Sequence, residues 1–313
     1  MQIWNELFDG GTRSTQRKKK ITFYFICATL ALIAVMLIIL AIFGAAKLIS
    51  NASENAEANT QAPKVTVGAT KAVTLDTEAA ISGDLLLLDE STRYVGEPAT
   101  VIIRSHEGRA KTKTSSNVYS ISSSGTGEKV DFRASAETVN AFNLMMSDFY
   151  AIAEDDNICI TKAYTVATKD TVDAIYSAAT ALKLEYYFEF PGDIRSIYGV
   201  EKYDWIYANA YKYGFINVED PSADEENGGS GVFRYVGIPH ATYMRTKKLT
   251  LSAYLEQLKT ATPDSPLLTK VGKVTYASYF LAADGEHLVP ADYSYTVSGN
   301  STSGYVVTAK ILG

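Results

Sequence analysis

Few side chains in this 313-residue sequence have the chemistry to hold a metal ion or attack a carbonyl carbon. There are three histidines. His106 sits in the polar stretch Arg104-Ser105-His106-Glu107 and reads as a solvated loop residue. His240 follows Pro239 and opens the approach to a C-terminal helix, and His287 lies in the turn Asp284-Gly285-Glu286-His287. Each reads as structural, and none forms a Ser/His or Cys/His pair that would make a nucleophile. Cys27 lies inside an apolar run, far in sequence from Cys159, so no disulfide joins them. Cys159 stands in the apolar stretch Ile158-Cys159-Ile160 and reads as an inert core thiol. The acidic run Asp224-Glu225-Glu226 reads as a solvated loop rather than a general base.

The elements that would position any site follow from periodicity. Val139, Phe142, Met145, Met146, Phe149, Ile152 and Ala153 form one stripe at helical spacing over 135–153. Ile158–Ile160 reads as a short strand, and 168–182 as a second helix carrying Val172, Ile175, Tyr176 and Ala179. Leu184–Phe190 alternates and is aromatic, which marks a strand. A helix over 201–213 stops at Gly214, and a last helix spans 250–260 with Thr250 as its N-cap. Leu85–Leu88 reads as a buried strand, 65–76 as strand or extended chain, and 112–127 as a loop. Beyond Pro263, Val274–Leu281 and Tyr305–Ile311 are β-rich with turn residues between them.

Ile21–Ala46 is a run of 26 uncharged, largely apolar residues, long enough to span a bilayer. A cleaved signal peptide would have a shorter apolar region. Arg17-Lys18-Lys19-Lys20 precedes the run and only Lys47 follows it, which puts the N-terminus in the cytoplasm. The expected organisation is a cytoplasmic tail at 1–20, a transmembrane helix at 21–46, a linker and extended lead-in at 47–79, a core domain at 80–262 and a β-rich extension at 263–313. The net charge of −6 leaves 23 basic against 33 acidic side chains after residue 48. An acidic balance of that kind makes nucleic acid an unsuitable partner.

Four stretches carry a resemblance. Asp204-Trp205-Ile206-Tyr207-Ala208-Asn209-Ala210-Tyr211-Lys212-Tyr213-Gly214-Phe215-Ile216 is similar to the W-L-x-x-N-A-x-K-Y-G-F helix of VanY-type (LAS family) D-alanyl-D-alanine carboxypeptidases. Phe233-Arg234-Tyr235-Val236-Gly237 resembles the RYVG segment after that family's Glu-Pro-Trp-His, and Leu249–Leu255 resembles its closing helix. Gly83–Asp89 is like the apolar strand that often opens these domains. The resemblance covers about 80–313 and implies an α+β fold: a small mixed or antiparallel sheet with helices, and a small β appendage after it.

The resemblance also implies chemistry. These enzymes release terminal D-alanine from peptidoglycan stem peptides with a zinc-bound water. Two ligands come from S-x-H-x-x-G-x-A-x-D, the third is the His of Glu-Pro-Trp-His, and the Glu of that motif is the general base. Read without gaps from RYVG, the base position falls on Gly229, the Pro and Trp on Ser230 and Gly231, and the third ligand on Val232. The other motif is placed on Ser177–Tyr186, which puts its His on Ala179 and its Asp on Tyr186. Glu185 flanks that position but points to the other strand face. The family's substrate-binding Arg becomes Thr165. The expectation is therefore a non-catalytic carboxypeptidase-like protein of the cell wall, anchored through residues 21–46, with its C-terminal domain outside. It would hold no cofactor and bind peptidoglycan or a cell-wall protein, with Tyr164, Tyr187, Trp205, Arg234 and Tyr235 as remnants of the cleft. An active peptidase with displaced zinc ligands is the alternative.

Overall fold

The structure is a computed structural model that describes residues 65–76, 80–88, 92–94, 96–103, 119–120, 132–155, 157–166, 173–189, 193–218, 230–300 and 304–312. The apolar run 21–46, the acidic run 224–226, His106 and Gly229 lie outside the described residues. Among the described residues no helix is long and apolar enough to cross a membrane.

The strands in chain order are β1 (Thr70–Val73), β2 (Val101–Ile102), β3 (Tyr119–Ser120), β4 (Arg133–Ala134), β5 (Ile158–Lys162), β6 (Ala181–Glu189), β7 (Asp193–Ser196), β8 (Phe215–Val218), β9 (Val232–Tyr235), β10 (Leu267–Val271), β11 (Val274–Ala282), β12 (His287–Pro290), β13 (Tyr295–Gly299) and β14 (Gly304–Leu312). The α-helices are α1 (Ala136–Ala153), α2 (Ala174–Ser177), α3 (Asp204–Asn209), α4 (Ile238–Lys247) and α5 (Leu251–Leu258). The expected α+β mixture is what forms.

One sheet runs β3-β5-β6-β9-β8 with β7 also paired to β6, and every pairing is antiparallel except β3 with β5. Helix α1 starts where Ser135 caps it, its side chain accepting from the Thr138 N–H. It buries Phe142, Met145 and Phe149 against Ile158, Ile160, Leu182, Leu184, Phe215 and Phe233 of that sheet. Ile152, placed on the stripe by spacing, is exposed instead. The 201–213 region is broken into a 3-10 turn, α3 and a second 3-10 turn, ended by Gly214 at φ 89.

A second sheet, β10-β11-β14-β13, builds the C-terminal extension around Tyr279, Tyr305, Val307 and Ala309. The lead-in belongs to this body. Strand β1 pairs with β12, and the Tyr305 hydroxyl donates to the Asp76 carbonyl at 2.8 Å. Residues 65–76, expected as strand or extended chain, supply β1 and are held by the extension.

Three elements differ from expectation. The helix expected over 168–182 is only the four-residue α2 among the described residues, because Ala179 turns left-handed (φ 57) and β6 begins at Ala181. Leu85–Leu88 is buried but forms no strand. Side chains replace its ladder: Arg234 donates to the carbonyls of Asp84 and Leu86, and Ser298 Oγ accepts from the Leu85 N–H. Helix α4 was not expected at all. It starts with Pro239 in its first turn after Gly237, a start signal for which the segment's weak amphipathicity gave no support.

Candidate functional site

Strand β6 is the centre of the sheet, and its alternation sorts the candidate residues onto two faces. Leu182, Leu184 and Tyr186 face α1 and the aromatic core, where Phe233 joins them from β9. Ala181, Lys183 and Glu185 face the other way, together with Val232 and Arg234, because Lys183 pairs with Val232 and Ala181 with Arg234. Glu185 does point away from Tyr186, and the face it points to is the one that carries Val232.

The structure therefore does not bring Ala179, Tyr186 and Val232 together. Tyr186 packs its ring 5.0 Å from Tyr203 on the core face. Val232 is fully buried on the opposite face, in a cluster with Tyr176 and Ala181. No one ion could touch both strand faces. Ala179 is buried in the turn before β6, where its N–H donates to the Tyr176 carbonyl and its own carbonyl accepts from Ser135 N–H at 2.8 Å.

The segment before β9 is shaped by close backbone packing. Ser230 Oγ accepts from the Val232 N–H at 2.8 Å, and the Ser230 carbonyl accepts from Tyr207 Oη and Asn217 Nδ2. A Cβ on Gly231 would lie 2.3 Å from the Leu184 carbonyl oxygen. The position that the resemblance assigns to a Trp has no room for any side chain.

The expected cleft residues are scattered. Tyr164 is buried, its carbonyl accepting from Arg133 N–H. Trp205 is half-buried on the core face, 5.9 Å from Phe149 and 6.3 Å from Tyr213. Tyr235 also faces the core, 5.5 Å from Phe215, and burial pushes its hydroxyl up to about 12, with Asp84 and Glu137 adding to the effect. Arg234 is on the opposite face, 1% exposed, and burial lowers its guanidinium to about 10 against the nearby Asp84 charge. The Tyr187 backbone pairs with Ile194.

The opposite face of β6 carries, besides Glu185, charged side chains that the sequence does not single out: Lys162, Asp173 and Lys183. Lys183 Nζ lies 3.9 Å from Glu185 Oε1, and Lys162 Nζ lies 2.5 Å from Asp173 Oδ2 and 5.5 Å from the centre of the Tyr176 ring. Lys162 and Lys183 are themselves cross-strand partners. Strand alternation with Val232 as the anchor was the available signal.

Neither described histidine is placed to ligate a metal. His240 is buried between Tyr254 Oη (2.8 Å) and Thr308 Oγ1 (3.1 Å), and burial lowers its pKa to about 4. His287 Nδ1 accepts from Leu75 N–H, and its ring stands edge-on to Tyr305 at 4.9 Å. Burial raises the Cys159 thiol to about 12, with Glu185 adding to it. Among the described residues no three His, Cys, Asp or Glu side chains converge. A cavity of about 470 Å³ does open between the core and the extension, lined by Asp84, Glu137, Tyr235, His240, Ser298 and Lys310. None of Tyr176, Lys183 and Val232 lines it.

Comparison with known proteins agrees with the resemblance in the sequence. No family model matches the chain. A D-alanyl-D-alanine carboxypeptidase of Enterococcus faecium is 32% identical over 110 residues, covering 33% of this chain and 35% of that protein. The match thus spans about a third of that relative's length. The crystal structure of the vancomycin-resistance D,D-dipeptidase VanXYg, in complex with a D-Ala-D-Ala phosphinate analogue, superimposes with a TM-score of 0.54 at 19% identity. It covers 78% of this chain and 100% of that one, and it shows a shared fold.

Proposed function

We propose that this chain, which is similar to VanY-type D-alanyl-D-alanine carboxypeptidase domains in sequence and fold, is a membrane-anchored, non-catalytic member of that group that binds peptidoglycan stem peptides outside the cell. The observation that carries the reading is Val232. The RYVG stretch fixes it at the position of a zinc ligand, yet its side chain is an isopropyl group buried among Tyr176 and Ala181. Zinc takes thiolate, imidazole or carboxylate donors, and the residues around Val232 do not supply such a set. Without a zinc-bound water the hydrolytic step has no nucleophile on that face.

Binding without hydrolysis is supported by what remains. The sheet, α1 and the α3 region form a packed framework, and the structurally similar VanXYg was crystallised with a D-Ala-D-Ala analogue. The anchor is supported by the charge asymmetry around the apolar run 21–46.

The test is calorimetric titration of the purified full chain with a pentapeptide ending in D-Ala-D-Ala and with its shortened tetrapeptide. The expected result is binding of the pentapeptide with no free D-alanine, with or without added zinc. Chelator-sensitive release of D-alanine would establish an active peptidase with displaced ligands and overturn the reading.

A further inference from the structure

The geometry points to a different set of residues in the emptied metal centre: we infer that Tyr176, Lys183 and Val232 occupy the three ligand positions, and that the Lys183 ammonium takes over the place of the metal's positive charge. This rests on the non-catalytic reading and deepens it.

The first argument is convergence. A metal ion needs its three ligands on one side of one surface. Val232 and Lys183 are direct cross-strand partners of β9 and β6, whose Cβ atoms stand about 5 Å apart on one face. Tyr176 packs against Val232 in the same buried cluster. Ala179 and Tyr186 satisfy neither condition.

The second argument is the backbone. The pattern S-x-H-x-x-G-x-A-x-D contains a glycine three residues after its His and an alanine two residues later. Slid three residues toward the N-terminus, the pattern puts Tyr176 at the His, Ala179 at the glycine, Ala181 at the alanine and Lys183 at the Asp. Ala179 is the residue with φ 57, a conformation that glycine adopts freely and other residues rarely do. The local geometry thus keeps the glycine's turn although the side chain has changed. In the placement on Ser177–Tyr186 the same glycine would fall on Leu182, within β6.

The third argument is charge. An ammonium on β6 beside Glu185, next to the Lys162–Asp173 pair, gives this face balanced charges without any metal. A divalent cation would meet Lys183 by repulsion, the Tyr176 phenol and the Val232 isopropyl group offer it no zinc donor, and the nearby carboxylates of Glu185 and Asp173 already face the ammonium groups of Lys183 and Lys162. On this placement a cation carried covalently by β6 stands at one of the ligand positions that the resemblance assigns to zinc.

The experiment rebuilds the donor set in the full chain. The Tyr176→His, Lys183→Asp, Val232→His variant is expected to bind about one zinc per chain, read by metal analysis, and to gain thermal stability on zinc addition because the ion binds only the folded state. A folded variant that takes up no zinc would overturn the inference. Where the triple variant does not fold, the Lys183→Asp, Val232→His pair is tested by nickel-dependent rise in Tm, and no rise would overturn it equally. The Ala179→His, Tyr186→Asp, Val232→His variant is expected to take up no zinc, and uptake there would restore the placement on Ser177–Tyr186. Zinc content of the unmodified chain tests the non-catalytic reading separately.

Discussion

Lys183 and Val232 face each other across adjacent antiparallel strands, on the side of the sheet that Tyr186 does not share. That pairing decides which residues could ever have held an ion together. It turns the question of lost ligands from one of sequence matching into one of strand faces.

Ala179 carries a left-handed backbone with a methyl group attached. That conformation costs a non-glycine residue roughly 1–2 kcal/mol, offset partly by glycine's greater entropy loss on folding. Ala179→Gly is therefore expected to stabilise the fold by about 0.5–1 kcal/mol. Denaturant unfolding would read it, and a clear loss of stability would mean that the turn is not left-handed.

Gly231 is the converse case. Its missing Cβ leaves just enough room for the Leu184 carbonyl, which a methyl group would approach to 2.3 Å. Gly231→Ala forces β6 and the start of β9 apart and is expected to cost about 3 kcal/mol. A neutral substitution would show that the two backbones do not approach so closely.

Asp84 and His240 give opposite pH signatures at the cavity they share. Desolvation, then Glu137, raises the Asp84 carboxyl to about 6, with Arg234 acting against the rise. Its folded pKa lies above the unfolded value, so its contribution is fully present below about 4 and is lost as the pH rises through 6. Burial lowers His240 to about 4. Its contribution is present above about 6.5 and is lost as the pH falls through 4. The two contributions oppose each other between about pH 4 and 6, so in Asp84→Asn, with only the His240 contribution left, stability should fall more steeply as the pH drops through that window than in the unmodified chain. An unchanged Tm-against-pH curve would exclude this assignment for Asp84.

Arg234 ties the segment 84–86 to the sheet through two backbone carbonyls while buried at 1% exposure. Arg234→Met keeps the bulk but leaves the carbonyls of Asp84 and Leu86 without that donor. The expected cost is about 2–4 kcal/mol, with Leu85 and Leu86 becoming protease-accessible. Limited proteolysis that leaves this segment as resistant as before would contradict the role.

Much of the fold was legible. Helix α1 announced itself by its apolar stripe, α5 by Thr250, and the stop at Gly214 by the glycine itself. The start of β6 was not, because Ala178-Ala179-Thr180-Ala181-Leu182 has the composition of a helix and only the tertiary pairing with β9 makes it a strand. Leu85–Leu88 reads as a strand because it is a wholly apolar run, and it forms none because the partners of its backbone are the side chains of Arg234 and Ser298, distant in sequence. The proposed assignment of Val232 rests on RYVG, a contiguous stretch of residues that match the resemblance. The other two positions have no such match, because in the stretch from Ala174 to Lys183 the pattern survives in one alanine, Ala181, and in a backbone angle at Ala179 that no sequence displays.

The most direct test of the central claim is the metal content of the purified, unmodified full chain after equilibration with zinc and removal of the excess. The account predicts well below one zinc per chain and no change in Tm on adding zinc. One tightly held zinc per chain, lost to a chelator together with thermal stability, would contradict it.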